Sequence, residues 1–221
     1  MTASYVDREE AGRVLAKELQ MRKLEDTPLV LAIPNGGLAV AAPISKAFGA
    51  KLDLLIVRKL QIPYNPEAGF GAITSLGTII LNKPLVARIG LNQEQIDSVV
   101  ERTRAQIDNR KQGYGGLVGR YSPEGKIVVL VDDGLASGYT MLAAIQSVRN
   151  LTPRKIIVAV PTASASAVSL IRDEVDDLIC PHIGSGYVFA VADAYENWYD
   201  VSETEVIELL QSIRKQMAKS D

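Results

Sequence analysis

Short apolar runs alternate with amphipathic stretches along most of the chain. The runs at residues 29–33, 52–57, 128–131, 155–160 and 177–180 are rich in Val, Ile and Leu. Runs of this length read as strands buried on both faces. Residues 38–48, 141–149 and 165–174 read as the helices between them. Strand–helix alternation of this kind predicts an α/β fold with a doubly wound, mainly parallel central sheet. Three further helices flank it. Residues 7–23 place Ala11, Val14, Leu15 and Leu19 at helical spacing, with Asp7 suited to the start. Residues 92–111 open on a capping box, Asn92 with Gln95. Their narrow apolar stripe of Ile96, Val99, Val100 and Ile107 suits a surface or a dimer seam. Ser202 with Glu205 makes a second capping box, opening a terminal helix over about 202–219. The expected organisation is one domain over 1–221, with a core at about 24–181.

Two regions break the rhythm. Residues 61–81 hold two prolines and Asn65, which argue for a loop, with a hairpin formed by 70–74 and 78–81. A long insertion in a compact domain reads as a lid, here about 60–82. Residues 184–200 gather Tyr187, Phe189, Tyr195, Trp198 and Tyr199, five of the chain's twelve aromatics. Such rings could stack on a planar ligand or pack a small subdomain.

The stretch 126–141, KIVVLVDDGLASGYTM, carries the candidate chemistry. An apolar run ends on Asp132 and Asp133, then Gly134, Leu135, Ala136, Ser137 and Gly138 lead through Tyr139 and Thr140 into a helix. Two adjacent carboxylates are costly to bury unpaired, so they should face a ligand or solvent in a crevice. Small residues let backbone N–H groups converge on an anion, and the helix points its positive end at the same place. Acceptors for hydroxyls beside donors for a phosphate suit a ribose 5-phosphate. The spacing is not that of Walker A: Gly134 and Gly138 enclose three residues, and Tyr139 follows in place of Lys. A Gly- and Ser-rich strand–turn–helix junction without a ligand is the plain alternative.

The 128–140 pattern resembles the phosphoribosyl-pyrophosphate signature of the type I phosphoribosyltransferases. The rest of the chain resembles the little-characterised bacterial and archaeal members, whose base substrate is generally unassigned. The resemblance implies transfer of 5-phosphoribosyl from phosphoribosyl pyrophosphate to a nucleobase, purine-like by preference, in nucleotide salvage. Asp132 and Asp133 would bind the ribose hydroxyls and could reach Mg²⁺, which travels with the pyrophosphate. Residues 134–140 would hold the 5-phosphate. Asn35, Gly36 and Gly37, after the first core strand, would meet the pyrophosphate; relatives often carry Arg at the Asn35 position. Arg58 and Lys59, after the second strand, match a pair in adenine-type members, and Lys59 suits a pyrophosphate oxygen as a point charge. The lid would close over the reacting centre, where Glu67 could protonate or orient the base or simply face solvent. A variable hood, about 182–200, would hold the base, with Tyr187 and Phe189 as stacking candidates and Asp193 as a polar contact. Ala136 stands where hypoxanthine-type members carry a proton-exchanging Asp, as in adenine-type members. Some proteins of this fold serve instead as ligand-sensing regulators.

Composition narrows the partners. A formal net charge of −2 argues against nucleic acid bound through bulk positive charge. The chain has one cysteine, Cys180, and one histidine, His182, which excludes an internal disulfide and a Cys/His zinc cluster. No apolar run approaches the ~20 residues of a membrane helix. A cytoplasmic homodimer or higher homo-oligomer with small-molecule substrates is the expected setting.

Overall fold

The computed structural model describes residues 3–184, 186 and 189–217. Helix α1 (Arg8–Met21) precedes strand β1 (Leu29–Ala32), helix α2 (Gly36–Phe48) and strand β2 (Leu52–Leu54). Strands β3 (Val57–Ile62), β4 (Asn65–Thr74) and β5 (Ile79–Leu81) follow, then helices α3 (Lys83–Ile89) and α4 (Gln93–Gly113). The second half runs β6 (Ile127–Val131), α5 (Tyr139–Arg149), β7 (Lys155–Ala159), β8 (Thr162–Ser164), α6 (Ala165–Ile171), β9 (Asp177–Ile179), β10 (His182–Gly184) and α7 (Glu203–Met217).

The central sheet has the order β2-β1-β6-β7-β9, and every pair in it is parallel. Alternation along β6 shows how it is covered. Val129 and Val131 join Leu15 of α1, Ile44 of α2, Ile107 of α4 and Leu210 of α7 in one apolar cluster. Val128 and Leu130 join Ile145 of α5 and Val168 of α6 on the other face. Strands with apolar side chains on both faces need this double cover.

The expected helix starts are explained by their caps. Asp7 accepts from the Glu10 N–H at 2.8 Å. Asn92 and Gln95 exchange side-chain and backbone bonds at 2.9 and 3.0 Å. Ser202 and Glu205 do the same at the head of α7. Each satisfies donors that a helix end leaves open.

Three expectations change. The run 52–57 is not one strand: β2 stops at Leu54, and Val57 opens a separate antiparallel sheet of order β3-β4-β5. An unbroken apolar run hid that change of sheet, because β3 buries Val57, Leu60 and Ile62 as β2 buries its leucines. Arg58 and Lys59 therefore sit within a hairpin strand and not at the end of a core strand. The region 61–81 is mostly strand, since antiparallel pairing satisfies its backbone despite the prolines. Helix 165–174 ends at Ile171 and tightens into a 3-10 turn, Arg172–Glu174. Helix α3 and the small parallel pair β8–β10 had no clear sequence signal.

Candidate active site

Strand β6 delivers Asp132 and Asp133 to the carboxyl end of the sheet, and the 134–138 loop carries the chain into α5. This loop is stitched to β8. The Leu135 N–H donates to the Thr162 carbonyl at 3.0 Å, and the Ser164 N–H donates to the Leu135 carbonyl at 2.9 Å. The Ser164 hydroxyl donates to the Ala136 carbonyl at 2.6 Å and also caps α6. Gly138 has a φ of +78°, the left-handed region that glycine enters without steric cost. It caps α5 without a side-chain bond, so the first N–H groups of that helix stay open to an anion.

A cavity of about 440 Å³ opens at this point. Asp132, Gly134, Leu135, Ala136, Ser137, Gly138, Tyr139 and Thr140 line one side, which is the whole predicted ribose-phosphate set apart from Asp133. Lys59, Ala68, Gly69 and Gly71 of the hairpin sheet line the other. Lys59 thus reaches the predicted site from a different sheet, its stem lying over Gly69. Arg58, on the opposite face of β3, turns to α4 and donates to Gln106 at 3.3 Å. The Glu67 side chain lies outside the described residues.

The two carboxylates are held unequally. The Asp133 N–H donates to the Asp132 carboxylate at 2.9 Å. Burial pushes the Asp132 carboxyl well above the usual carboxylate range, and the charge on Asp133 adds to it. Asp133 is raised too, again by burial, while the Arg8 guanidinium pulls it back. Arg8 Nε donates to Asp133 Oδ2 at 2.9 Å, and Arg8 is only 6% exposed.

Arg8 is the residue that the sequence did not announce. It enters from α1, and its guanidinium carbon lies 3.9 Å from the Trp198 ring centre, with Tyr195 and Tyr199 each at 5.7 Å. Its Nη1 donates to the Tyr199 carbonyl at 2.9 Å. The Tyr195 hydroxyl donates to the Asp133 carbonyl at 2.6 Å, and burial raises that phenol. Three of the five clustered aromatics therefore build a cation–π box around Arg8. The only sequence signal was an arginine one position after a helix cap, which ordinarily faces solvent.

The loop after β1 comes up against the acids. The Pro34–Asn35 peptide is cis. A Cβ on Gly36 would collide with the Asp133 carboxylate and approach Arg8 Nε, and one on Gly37 would press the Val131 carbonyl and the Asp132 backbone. Asn35 turns its side chain away: Nδ2 donates to the Val201 carbonyl at 2.5 Å, and Oδ1 accepts from Arg110.

The hood residues divide. Val191 lines the cavity and packs on Gly134. Phe189 packs on Gly184, Asp193 is exposed, and neither is among the cavity-lining residues. Tyr187 lies outside the described residues. His182 is exposed, and its ring centre lies 5.2 Å from that of Tyr5 in a T-shaped arrangement. Among the described residues no group of three or more His, Cys, Asp or Glu could form a protein-only metal cage, and no helix is long and apolar enough to cross a membrane.

Known proteins share this fold. TT1426 of Thermus thermophilus superposes with a TM-score of 0.78 at 32% identity, covering 96% of this chain and 99% of that one. A purine phosphoribosyltransferase of Pyrococcus horikoshii shares the fold at a TM-score of 0.50 and 16% identity, over 91% of this chain and 99% of that one. "Putative phosphoribosyl transferase Rv0571c" of Mycobacterium tuberculosis is 33% identical over 216 residues, 98% of this chain. The chain spans 48% of that protein's length. Residues 4–194 match the phosphoribosyl transferase domain family, and the chain belongs to that family.

Proposed function

We propose that the chain transfers the 5-phosphoribosyl group of phosphoribosyl pyrophosphate to a ring nitrogen of a nucleobase and releases pyrophosphate. One observation carries this reading. A carboxylate suited to a sugar diol and the open amides of a helix start line the same cavity, a few residues apart. The bond from the anomeric carbon to the pyrophosphate oxygen breaks, the bond from that carbon to the base nitrogen forms, and the nitrogen's proton leaves. The transition state resembles an oxocarbenium ion, so positioning and charge stabilisation do most of the work.

Asp132 and Asp133 accept from the ribose hydroxyls, with Arg8 fixing the second carboxylate. The 136–140 backbone and the Ser137 and Thr140 hydroxyls hold the 5-phosphate. Gly36, Gly37 and Lys59 meet the pyrophosphate. The hairpin sheet, with Ala68, Gly69 and Gly71 facing the phosphate loop, excludes water that would hydrolyse the activated sugar. Two carboxylates, with no third His, Cys, Asp or Glu grouped beside them among the described residues, fit Mg²⁺ as an ion carried in by substrate phosphates, which it prefers to all-protein cages. Asp132 and Asp133 would hold it, and bound there it would neutralise leaving-group charge. The acceptor is purine-like on the resemblance carried by Ala136.

Calorimetry with phosphoribosyl pyrophosphate and Mg²⁺, then a panel of bases assayed for pyrophosphate release, tests the proposal. Binding with turnover on one base is the expected result. Binding without turnover on any base would make the chain a sensor of the same ligand. Absence of binding would overturn both.

A further inference from the structure

The segment from Tyr199 to Glu203 runs behind the site and touches it at every second residue. The Tyr199 carbonyl accepts from Arg8, which holds Asp133. The Val201 carbonyl accepts from Asn35, at the head of the glycine loop. Glu203 pairs with Arg110 Nε at 2.7 Å, and Arg110 donates its other arm to Asn35. Arg110 is 9% exposed and is not among the residues lining the ribose-phosphate cavity.

The surroundings of Arg110 define a single resting place for it. Glu203 draws it from α7, and the Tyr114 ring centre lies 5.9 Å from its guanidinium carbon. Arg58 faces it from β3 as a like charge: burial lowers the Arg58 pKa, and Arg110 lowers it further. A planar fork can donate to Asn35 through Nη2 while its Nε edge keeps the Glu203 carboxylate as an ion partner, which a lysine ammonium on the same stem cannot do with fixed geometry. Asn35 in turn is bonded at both ends of its amide, and it is not among the residues lining the ribose-phosphate cavity. What it offers is position, because Gly36 and Gly37 follow it directly and abut both acids.

We propose that Arg110 is a positioning residue for pyrophosphate recognition. It acts through Asn35 to hold the backbone of residues 35–37 in its binding conformation, with Glu203 as its anchor. The inference rests on the reading of residues 35–37 as the pyrophosphate loop. Arg110 does not touch the substrate, and its effect falls on one half of the ligand only. The ribose 5-phosphate half is held by β6 and α5, whose bonds do not pass through Arg110.

The test compares three ligands by calorimetry: Mg²⁺-pyrophosphate, ribose 5-phosphate and phosphoribosyl pyrophosphate. Arg110→Met should weaken pyrophosphate about tenfold, the scale of one charge-assisted hydrogen bond, and leave ribose 5-phosphate within about twofold. Arg110→Lys should fall with Arg110→Met. Asn35→Ala should give the same selective loss, and the Arg110→Met/Asn35→Ala double variant should be no worse than either single one. Equal loss of both half-ligands, unchanged pyrophosphate affinity, or additive losses in the double variant would each overturn the proposal. Glu203→Gln, at a half-exposed position, carries the test if Arg110→Met does not fold: it should show a smaller loss with the same selectivity, and no selectivity would overturn it. Failure of the unmodified chain to bind phosphoribosyl pyrophosphate would instead strike the functional reading.

Discussion

Two carboxylate sites flank β1 in the same sheet, and they are built in opposite ways. Asp53 on β2 is 1% exposed and saturated. It accepts from the N–H groups of Leu54 at 2.8 Å, Gly119 at 3.2 Å, Arg120 at 2.6 Å and Tyr121 at 3.2 Å, and from Arg214 of α7 at 3.4 Å. Asp132, beyond β6, receives one backbone bond from its neighbour and is pushed toward protonation by burial and by Asp133. The satisfied acid ties α7 and the 117–121 turn to the sheet edge. The less fully bonded acid lines a cavity. A half-buried carboxylate that keeps bonding capacity toward a cavity can give it to a ligand, and that distinguishes a site from a staple.

The largest effect is expected from Asp53→Ala. It leaves Arg214 without its buried counter-charge and should cost about 3–5 kcal/mol in denaturant unfolding, with ligand affinity of the folded protein unchanged. A loss under about 1 kcal/mol would mean that the bonds around Asp53 are incidental. Next in size, Asp132→Asn should weaken phosphoribosyl pyrophosphate by about 100-fold in calorimetry, or ~2.7 kcal/mol, with no loss of thermal stability. If melting temperature falls as it does for Asp53→Ala, the two acids are alike and the contrast is lost.

Acid titration sharpens the same point in metal-free protein. The folded-state pKa of Asp132 is raised above its ordinary 3.8. Folding therefore takes up a proton between the two values, and the stability gained is full below 3.8 and lost as pH rises through the folded value. Asp132→Asn should be the more stable protein at pH 7, by a margin that closes as the pH falls toward the unfolded value. A margin independent of pH would show that Asp132 is not perturbed. The smallest effect is expected from Tyr195→Phe, which deletes the bond to the Asp133 carbonyl and should cost about 1 kcal/mol in unfolding.

Local chemistry was the legible part of the sequence. The parallel core strands, the capped helices and the 132–140 loop all follow from neighbouring residues, and the structure brings that loop and Lys59 to one cavity. Asn35 and Arg58 are turned elsewhere. What stayed hidden depends on distant contacts. Arg8 meets Asp133 across 125 positions, and Arg110 meets Asn35 across 75. Neither pairing leaves a periodic trace, because one long side chain is enough to make it. Asp53 was passed over inside a run whose other members are all apolar. The aromatics at 195–199 were open to two readings, and their packing around Arg8 selects the structural one for these rings.

Ser164 ends β8, starts α6 and clamps the Ala136 carbonyl, so the turn proposed to seat the sugar's phosphate is finished when the chain folds. An incoming anion then need not organise the peptide that receives it. Amide protons of Leu135 and Ser164 should exchange with deuterated water as slowly as those of the sheet even in apoprotein, and docking should proceed without a rate-limiting rearrangement of that turn.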